Sequence, residues 1–401
     1  MKKLSTILIA MLILATILSA CDIGGSQFEC EDPIGCVTYA PDEPIRVATS
    51  LVISGPNTEL GMDSQHGVEI AGNFRGEVVG HPIEFQFEDD LCSAEGGQTS
   101  AQKVVSDPTI LAMIGTSCSG AGVPAAKIIS DAGFAMVSPS NTSPALTDPE
   151  QHQAGYLRTA HNDKVQGRAM ANFALNQLGV TKAAAIHDGD PYTEGLARVF
   201  ADSFAEMGGE IVAFEAAGKG DTDMRPLLKT VAEAGPPEFI YYPIFIAEGA
   251  AITTQAAEVS GLENTILSGA DGMQSPSFLE AAGDSAEGMY LSGPDLSFSG
   301  SLYQDFLAKY QQDYGTEPTA PFHAHSFDAA NMIFDAIERV AIVDEDGTVH
   351  IGRQALRDAL FATSGLVGIT GTITCDTYGD CADAKISVNQ VQNGEFVKIW
   401  P

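Results

Sequence analysis

The chain has 401 residues, 44% of them hydrophobic and only 18% charged, with 20 Lys+Arg against 53 Asp+Glu. That is more than one typical domain needs and is ample apolar material for two cores. A formal net charge of -33 repels phosphate backbones and anionic headgroups alike, which excludes nucleic acid as a natural partner and membrane attachment through a basic patch.

Residues 1–21 read MKKLSTILIAMLILATILSAC. Lys2 and Lys3 make a positive start, residues 4–18 an apolar run, and Ser19 and Ala20 a small-residue cleavage site. The run is shorter than the roughly 20 residues that span a bilayer. Leu18-Ser19-Ala20-Cys21 looks like a bacterial lipobox, so the expectation is a signal peptide over 1–20 and acylation of Cys21. The protein would then be extracytoplasmic, in the periplasm or on the outer face of the cell membrane, and held by lipid; stable anchoring takes more than one acyl chain. Six further cysteines remain, an even set that outside the cytoplasm reads as disulfides with fifteen possible pairings. Proximity suggests Cys30 with Cys36 and Cys375 with Cys381, leaving Cys92 with Cys118.

Residues 21–44 lack periodicity and read as a tether. Beyond them strand and helix patterns alternate. Strands are expected at 45–53, 83–87, 110–115 and 134–137, with helices over 61–74, near 101–106 and from Val123. A second series has helices over 165–178, 194–207, 225–233 and 247–259, between strands at 183–187, 210–214, 238–242 and 265–268. Helices over 303–314 and 322–340 follow, then antiparallel-looking strands at 370–374, 385–392 and 395–400. Such alternation implies an α/β fold of two Rossmann-like lobes with mainly parallel sheets. Ligands of open parallel sheets bind at the C-terminal ends of the strands, here in the cleft between the lobes.

Four loops at strand ends carry chemistry. Gly115-Thr-Ser-Cys-Ser-Gly-Ala-Gly122 offers backbone N–H groups at a helix start and the Ser119 hydroxyl, an arrangement fit for a carboxylate. In Ser138-Pro-Ser-Asn-Thr-Ser-Pro144, carbonyls and the Thr142 hydroxyl are acceptors for an ammonium. Gly269-Ala-Asp271-Gly-Met supplies a carboxylate, which taken alone a helix N-cap explains better. His187-Asp-Gly-Asp-Pro-Tyr192 supplies a ring to cover a ligand.

From residue 45 to the end the chain resembles the branched-chain amino acid binding proteins of ABC importers, in the type I periplasmic binding family. The stretches that carry the resemblance are SLVISGPNTELG, FEDDLCSAE, IGTSCSGAG, VSPSNTSPALT, YLRTAHNDKVQG, AAIHDGDPYTEGLA, GDTDMRPLL and GADG. The resemblance implies two lobes joined by a multi-strand hinge: 45–160 with 293–384, and 161–292 with 385–401. It implies that the Ser119 hydroxyl and amide bind a ligand carboxylate, while the Ser140 carbonyl, the Thr142 hydroxyl and Asp271 hold the ammonium. Tyr192, Phe245 and Leu60 would line the side-chain pocket, and Cys92 would pair with Cys118. The implied partners are a small amino acid, the permease subunits of an ABC transporter, and the membrane through the lipid anchor. Leu60 stands where an aromatic is usual, and Asp271 is one carbon shorter than the Glu of leucine-type members. The Cys30/Cys36 and Cys375/Cys381 pairs are additions to the family pattern.

The rival classes are an enzyme, a sensory receptor module of the same fold, and a family member for an amide, urea or aromatic acid. No G-x-S-x-G elbow, P-loop or G-x-G-x-x-G is present. His323-Ala-His325 points its rings to different faces of a helix, and Asp344-Glu-Asp-Gly347 lacks the distal Glu of a calcium loop. Neither catalysis nor any metal or cofactor is expected.

Overall fold

Ile110–Gly115 (ILAMIG) is buried at every position, as a strand must be when helices cover both faces of its sheet. The computed structural model describes residues 28–401; the expected leader and Cys21 lie outside the described residues. The first half runs β1 (Cys36–Tyr39), β2 (Ile45–Leu51), α1 (Thr58–Arg75), β3 (Glu77–Val78), β4 (His81–Asp89), α2 (Ala94–Ser106), β5 (Ile110–Gly115), α3 (Ser119–Asp131), β6 (Ala135–Ser138) and β7 (Tyr156–Arg158). Next come α4 (Asp163–Asn176), β8 (Lys182–His187), α5 (Pro191–Glu206), β9 (Glu210–Ala216), α6 (Arg225–Ala234), β10 (Phe239–Tyr241), α7 (Ile246–Gln255), β11 (Ile266–Ala270), α8 (Pro276–Ala282) and β12 (Tyr290–Pro294). The chain ends with α9 (Ser301–Tyr314), α10 (His323–Val340), β13 (Ile342–Val343), β14 (Val349–Gly352), α11 (Arg353–Phe361), β15 (Leu366–Val367), β16 (Thr372–Ile373), β17 (Ile386–Gln392) and β18 (Glu395–Trp400).

Two large sheets organise residues 32–401. One has the order β3-β4-β2-β5-β6-β7 and the other β18-β17-β12-β11-β10-β8-β9. Pairs within the first are parallel except β3 with β4. In the second, β17 and β18 add antiparallel to a parallel set. The chain passes between the sheets three times, after β7, after β12 and before β17, which makes a three-segment hinge. The α/β fold with two Rossmann-like lobes and a cleft between them is therefore present.

Local sequence explains the close packing. β8 is KAAAIH; Ala183 and Ala185 share one apolar cluster with Phe200 and Phe204 of α5, while Ala184 packs in the cluster on the other face. Gly167 of α4 faces the Phe200 amide and the Val199 side chain, where a Cβ would collide. Gly67 of α1 faces the His323 carbonyl and the Ser326 hydroxyl of α10 in the same way. Helix backbones approach this closely only where no side chain intervenes.

Besides elements the sequence reading left unassigned, α8 and α11 among them, three differ from the pattern it expected. α3 begins at Ser119 rather than Val123, with Cys118 extended as its cap (φ -96, ψ 140). Its first turn is small because Ala121 lies against Gly97 of α2, where a Cβ would meet backbone. Residues 36–39, inside the expected tether, form β1 and pair antiparallel with β14. Only Val37 and Tyr39 are buried there, too short an alternation to read without its distant partner. Of 370–374, only Thr372–Ile373 is strand, paired with β15.

Cys92–Cys118 and Cys375–Cys381 are disulfides, and Cys30 and Cys36 are each disulfide-bonded. The loop closed by Cys375–Cys381 lies along β7, with a bridge from Arg158 to Asp380. Arg158 is fully buried, and its Nε donates to Asp380 Oδ1 at 2.5 Å. Its other nitrogens donate to the carbonyls of Asn141 (3.0 Å) and Ser143 (2.8 Å) and to Thr147 Oγ1 (2.7 Å). Removing one partner of such a pair leaves polar groups buried and unpaired. Arg158→Met is expected to lower stability by about 3–5 kcal/mol, measured by urea unfolding; a loss below about 1 kcal/mol would show that water replaces the guanidinium.

Candidate functional site

The loops after β5, β6, β8 and β11 meet in the cleft. A cavity there is lined by Leu60, Ser117, Cys118, Ser119, Ser140, Tyr192, Phe245, Asp271, Gly272 and Phe322. Six of the seven ligand-binding residues expected from the sequence therefore share one small space. The seventh, Thr142, does not line it. Its carbonyl accepts from the Asp163 amide (3.0 Å) and its hydroxyl lies near the Asp163 carboxylate. Larger cavities lie elsewhere, one between the hinge segments beside His161, Asp295 and Lys385, but they do not gather the strand-end loops.

On the first lobe, Ser119 is the first residue of α3, so its amide has no partner within the helix, while the Ala121 and Gly122 amides donate to the Cys118 carbonyl at 3.0 and 2.9 Å. The Ser119 hydroxyl accepts from the Ser143 amide at 3.2 Å, which ties the α3 loop to the β6 loop. Asp90 supports this edge from beneath. It is fully buried and accepts from the amides of Ser117 (2.6 Å) and Cys92 (2.7 Å). Burial pushes its pKa up to about 7 although both hydrogen bonds oppose the shift. The Cys92–Cys118 disulfide spans the same two loops. Ser140 sends its hydroxyl to the Ser117 carbonyl at 2.8 Å.

On the second lobe, Asp271 opens a short 3-10 turn after β11 and is 5% exposed. Its Oδ1 accepts from Gln166 Nε2 (2.6 Å) and from the Tyr192 hydroxyl (3.2 Å). Burial raises its pKa to about 6, with those two donors pulling the other way. Tyr192 in turn accepts from the Gly272 amide (3.2 Å) and packs against Phe245, with ring centroids 5.4 Å apart.

Sequence reasoning missed Asp163, the first residue of α4. It is fully buried, and neither carboxylate oxygen makes a well-formed hydrogen bond. Burial first, and the neighbouring Asp271 charge second, push its pKa well above the usual value. It also missed Gln166, whose oxygen faces His161 Nε2 while its nitrogen serves Asp271. Both residues lie in the stretch YLRTAHNDKVQG that carries the family resemblance, but nothing in the sequence sets them apart as site residues. Phe322 was missed because it reaches the cavity from a crossover far along the chain. What the assembled arrangement offers is a helix start for an anion, the buried Asp271 carboxylate for a cation, and the apolar side chains of Leu60, Phe245 and Phe322.

Residues 44–395 match the family described as periplasmic binding protein. The chain belongs to that family. It is 31% identical over 271 residues to the Leu/Ile/Val-binding protein of Escherichia coli, covering 65% of this chain and 71% of that one. It is 27% identical over 356 residues to the leucine-, isoleucine-, valine-, threonine- and alanine-binding protein of Pseudomonas aeruginosa, covering 86% and 89%. The crystal structure of a leucine binding protein from Thermotoga maritima superposes with a TM-score of 0.79 at 26% identity, covering 88% of this chain and 97% of that one. The resemblance to the branched-chain amino acid binding proteins of ABC transporters is borne out. Membership in a family of periplasmic binding proteins places the chain outside the cytoplasm. No helix among the described residues is long and apolar enough to cross a membrane.

In this periplasmic binding protein the Gln166 amide is oriented by its neighbours, with its nitrogen toward Asp271 and Ser292. Gln166→Leu removes the donor that favours ionised Asp271, so the Asp271 pKa is expected to rise from about 6. Carboxyl-carbon NMR titration reads this directly; an unmoved titration would mean that the amide donor does not stabilise the carboxylate.

Proposed function

We propose that the protein is a lipid-anchored solute-binding protein of an ABC importer, which takes up an aliphatic branched-chain α-amino acid by cleft closure and delivers it to the permease. The observation that carries the reading is the buried carboxylate of Asp271, which lines a cavity also lined by Ser119 at the start of α3, with the buried Asp163 carboxylate near enough to Asp271 for their charges to act on each other. The ligand carboxylate would take the Ser119 amide and hydroxyl. Its ammonium would lie between Asp271, Asp163 and the Ser140 carbonyl, with Thr142 acting on it through Asp163. The aliphatic chain would lie against Leu60, Tyr192, Phe245 and Phe322. An acid or amide without the amine would leave both carboxylates buried with no counter-charge, which is costly. The ligands for which the relatives from Escherichia coli and Pseudomonas aeruginosa are named agree with this chemistry.

Calorimetry with leucine, isoleucine, valine, 2-hydroxyisocaproate and benzoate tests the assignment. Wild type should prefer the amino acids, and Asp271→Ala should lose tens-fold to thousands-fold in affinity, about 2–5 kcal/mol for a buried charge pair. Preference for an acid lacking the amine, with Asp271→Ala binding it equally well, would overturn the ligand and leave the fold untouched. The pH dependence has a definite sign. An ammonium binds ionised Asp271, so affinity should be flat above about pH 7 and fall as pH drops through about 6. Rising affinity over that interval would exclude Asp271 as the counter-ion.

The anchor is tested separately. Cys21→Ser should free the protein from the membrane fraction or block its maturation; unchanged processing and sedimentation with membranes would count against acylation.

A further inference from the structure

Two carboxylates cross the cleft in opposite directions, and neither lines the cavity. Asp190 belongs to the second lobe, where it caps α5 by accepting from the Tyr192 amide at 3.0 Å. The same carboxylate reaches the first lobe and lies against Gly120, the second residue of α3. Any Cβ at position 120 would run into Asp190 Oδ2 first. Asp190 is 7% exposed. Burial raises its pKa overall, while hydrogen bonds from the Tyr192 and Gly120 amides and the charge of Lys219 act the other way.

Glu59 makes the reverse crossing. It stands in the first turn of α1 on the first lobe and accepts from the hydroxyl of Ser277 (2.8 Å) and from its amide (3.4 Å). Ser277 lies at the start of α8 on the second lobe. Between these two crossings, the Ser143 hydroxyl of the first lobe donates to the Pro191 carbonyl of the second at 2.9 Å. Each lobe thus sends one carboxylate to helix-start donors on the other, where a negative charge is favoured.

We infer that Asp190 and Glu59 form a closing clamp, which holds the lobes together and sets affinity and residence time without choosing the ligand. The inference rests on the cleft-closure reading above. A contact made only across a closed cleft stabilises the closed state by its whole worth, because it has no counterpart when the lobes part. A group that favours closure equally for every ligand multiplies all affinities by one factor. Asp190 and Glu59 are positioning residues, since they act through the lobes rather than on the ligand.

The test compares wild type with Glu59→Gln, Asp190→Asn and the double variant. The amides keep an acceptor oxygen, so the α5 cap survives while the charge is lost. Each single variant should bind leucine and valine roughly tenfold more weakly, with faster dissociation and the leucine/valine ratio unchanged. Small-angle X-ray scattering of ligand-free protein should give a larger radius of gyration for the double variant than for wild type. Affinities within twofold of wild type together with equal radii would overturn the clamp, as would a loss that differs between leucine and valine. Should wild type bind neither amino acid, the ligand assignment falls and scattering alone decides: a larger double variant supports the clamp, and an equal one overturns it.

Discussion

The buried guanidinium of Arg158 is the contact on which the first lobe's half of the site depends. It sits at the end of β7, the edge strand of its sheet, and it fastens two things at once. Outward it pairs with Asp380 in the loop closed by Cys375–Cys381. Inward it holds the carbonyls of Asn141 and Ser143, which fixes the loop that presents Ser140 to the cavity. A loop rich in Ser, Pro and Asn has no apolar side chains to pin it. Its shape has to come from hydrogen bonds, and a charged donor with several fixed arms supplies more than a neutral one can. Asp380 completes the arrangement. Burial alone would raise its pKa, yet Arg158, Asn162 and Thr147 together hold it below the usual range, so the pair stays charged down to acid pH.

Opposite this cationic anchor the cleft concentrates negative charge. Asp90 under the α3 loop, Asp163 at the start of α4 and Asp271 after β11 are all buried, and burial is the largest influence on each. They are not equivalent. Asp90 is saturated by backbone amides and serves as a structural peg for Ser117 and Cys92. Asp271 is half satisfied, through Gln166 and Tyr192. Asp163 has no well-formed partner. That gradient separates support from function, since a protein rarely leaves a buried carboxylate without a donor unless something else supplies one.

The sequence exposed the fold through its buried parallel strands, whose unbroken apolar runs mark strand positions without any partner being known. It exposed Ser119, Ser140, Tyr192 and Asp271 as well, because each follows such a run and parallel sheets place their sites there. What it hid depends on distance along the chain. β1 makes sense only against β14, and Phe322 only against a loop some two hundred residues earlier. Thr142 was legible as a hydroxyl in the right loop but not in its direction, which Asp163 sets. The Cys375–Cys381 loop looked like a self-contained clip. Its role as an added edge for β7 follows from Arg158, which in the sequence is one arginine among few and carries no pattern of its own.

The two ends of the cavity differ in how tightly they are determined, and this bears on how such a site changes ligand. The polar end is fixed several times over: by the α3 helix start, the Cys92–Cys118 link, Asp90, Arg158 and the Gln166–Asp271–Tyr192 chain. Altering any of these leaves buried polar groups unpaired, so the polar end resists change. The apolar end rests on four side chains, Leu60, Tyr192, Phe245 and Phe322, contributed by both lobes and a crossover. One methylene there is worth only about 1–3 kcal/mol, and a swap of similar volume costs little stability. Under the proposed function, discrimination among aliphatic side chains can therefore drift at one wall while recognition of the carboxylate and ammonium stays fixed at the other.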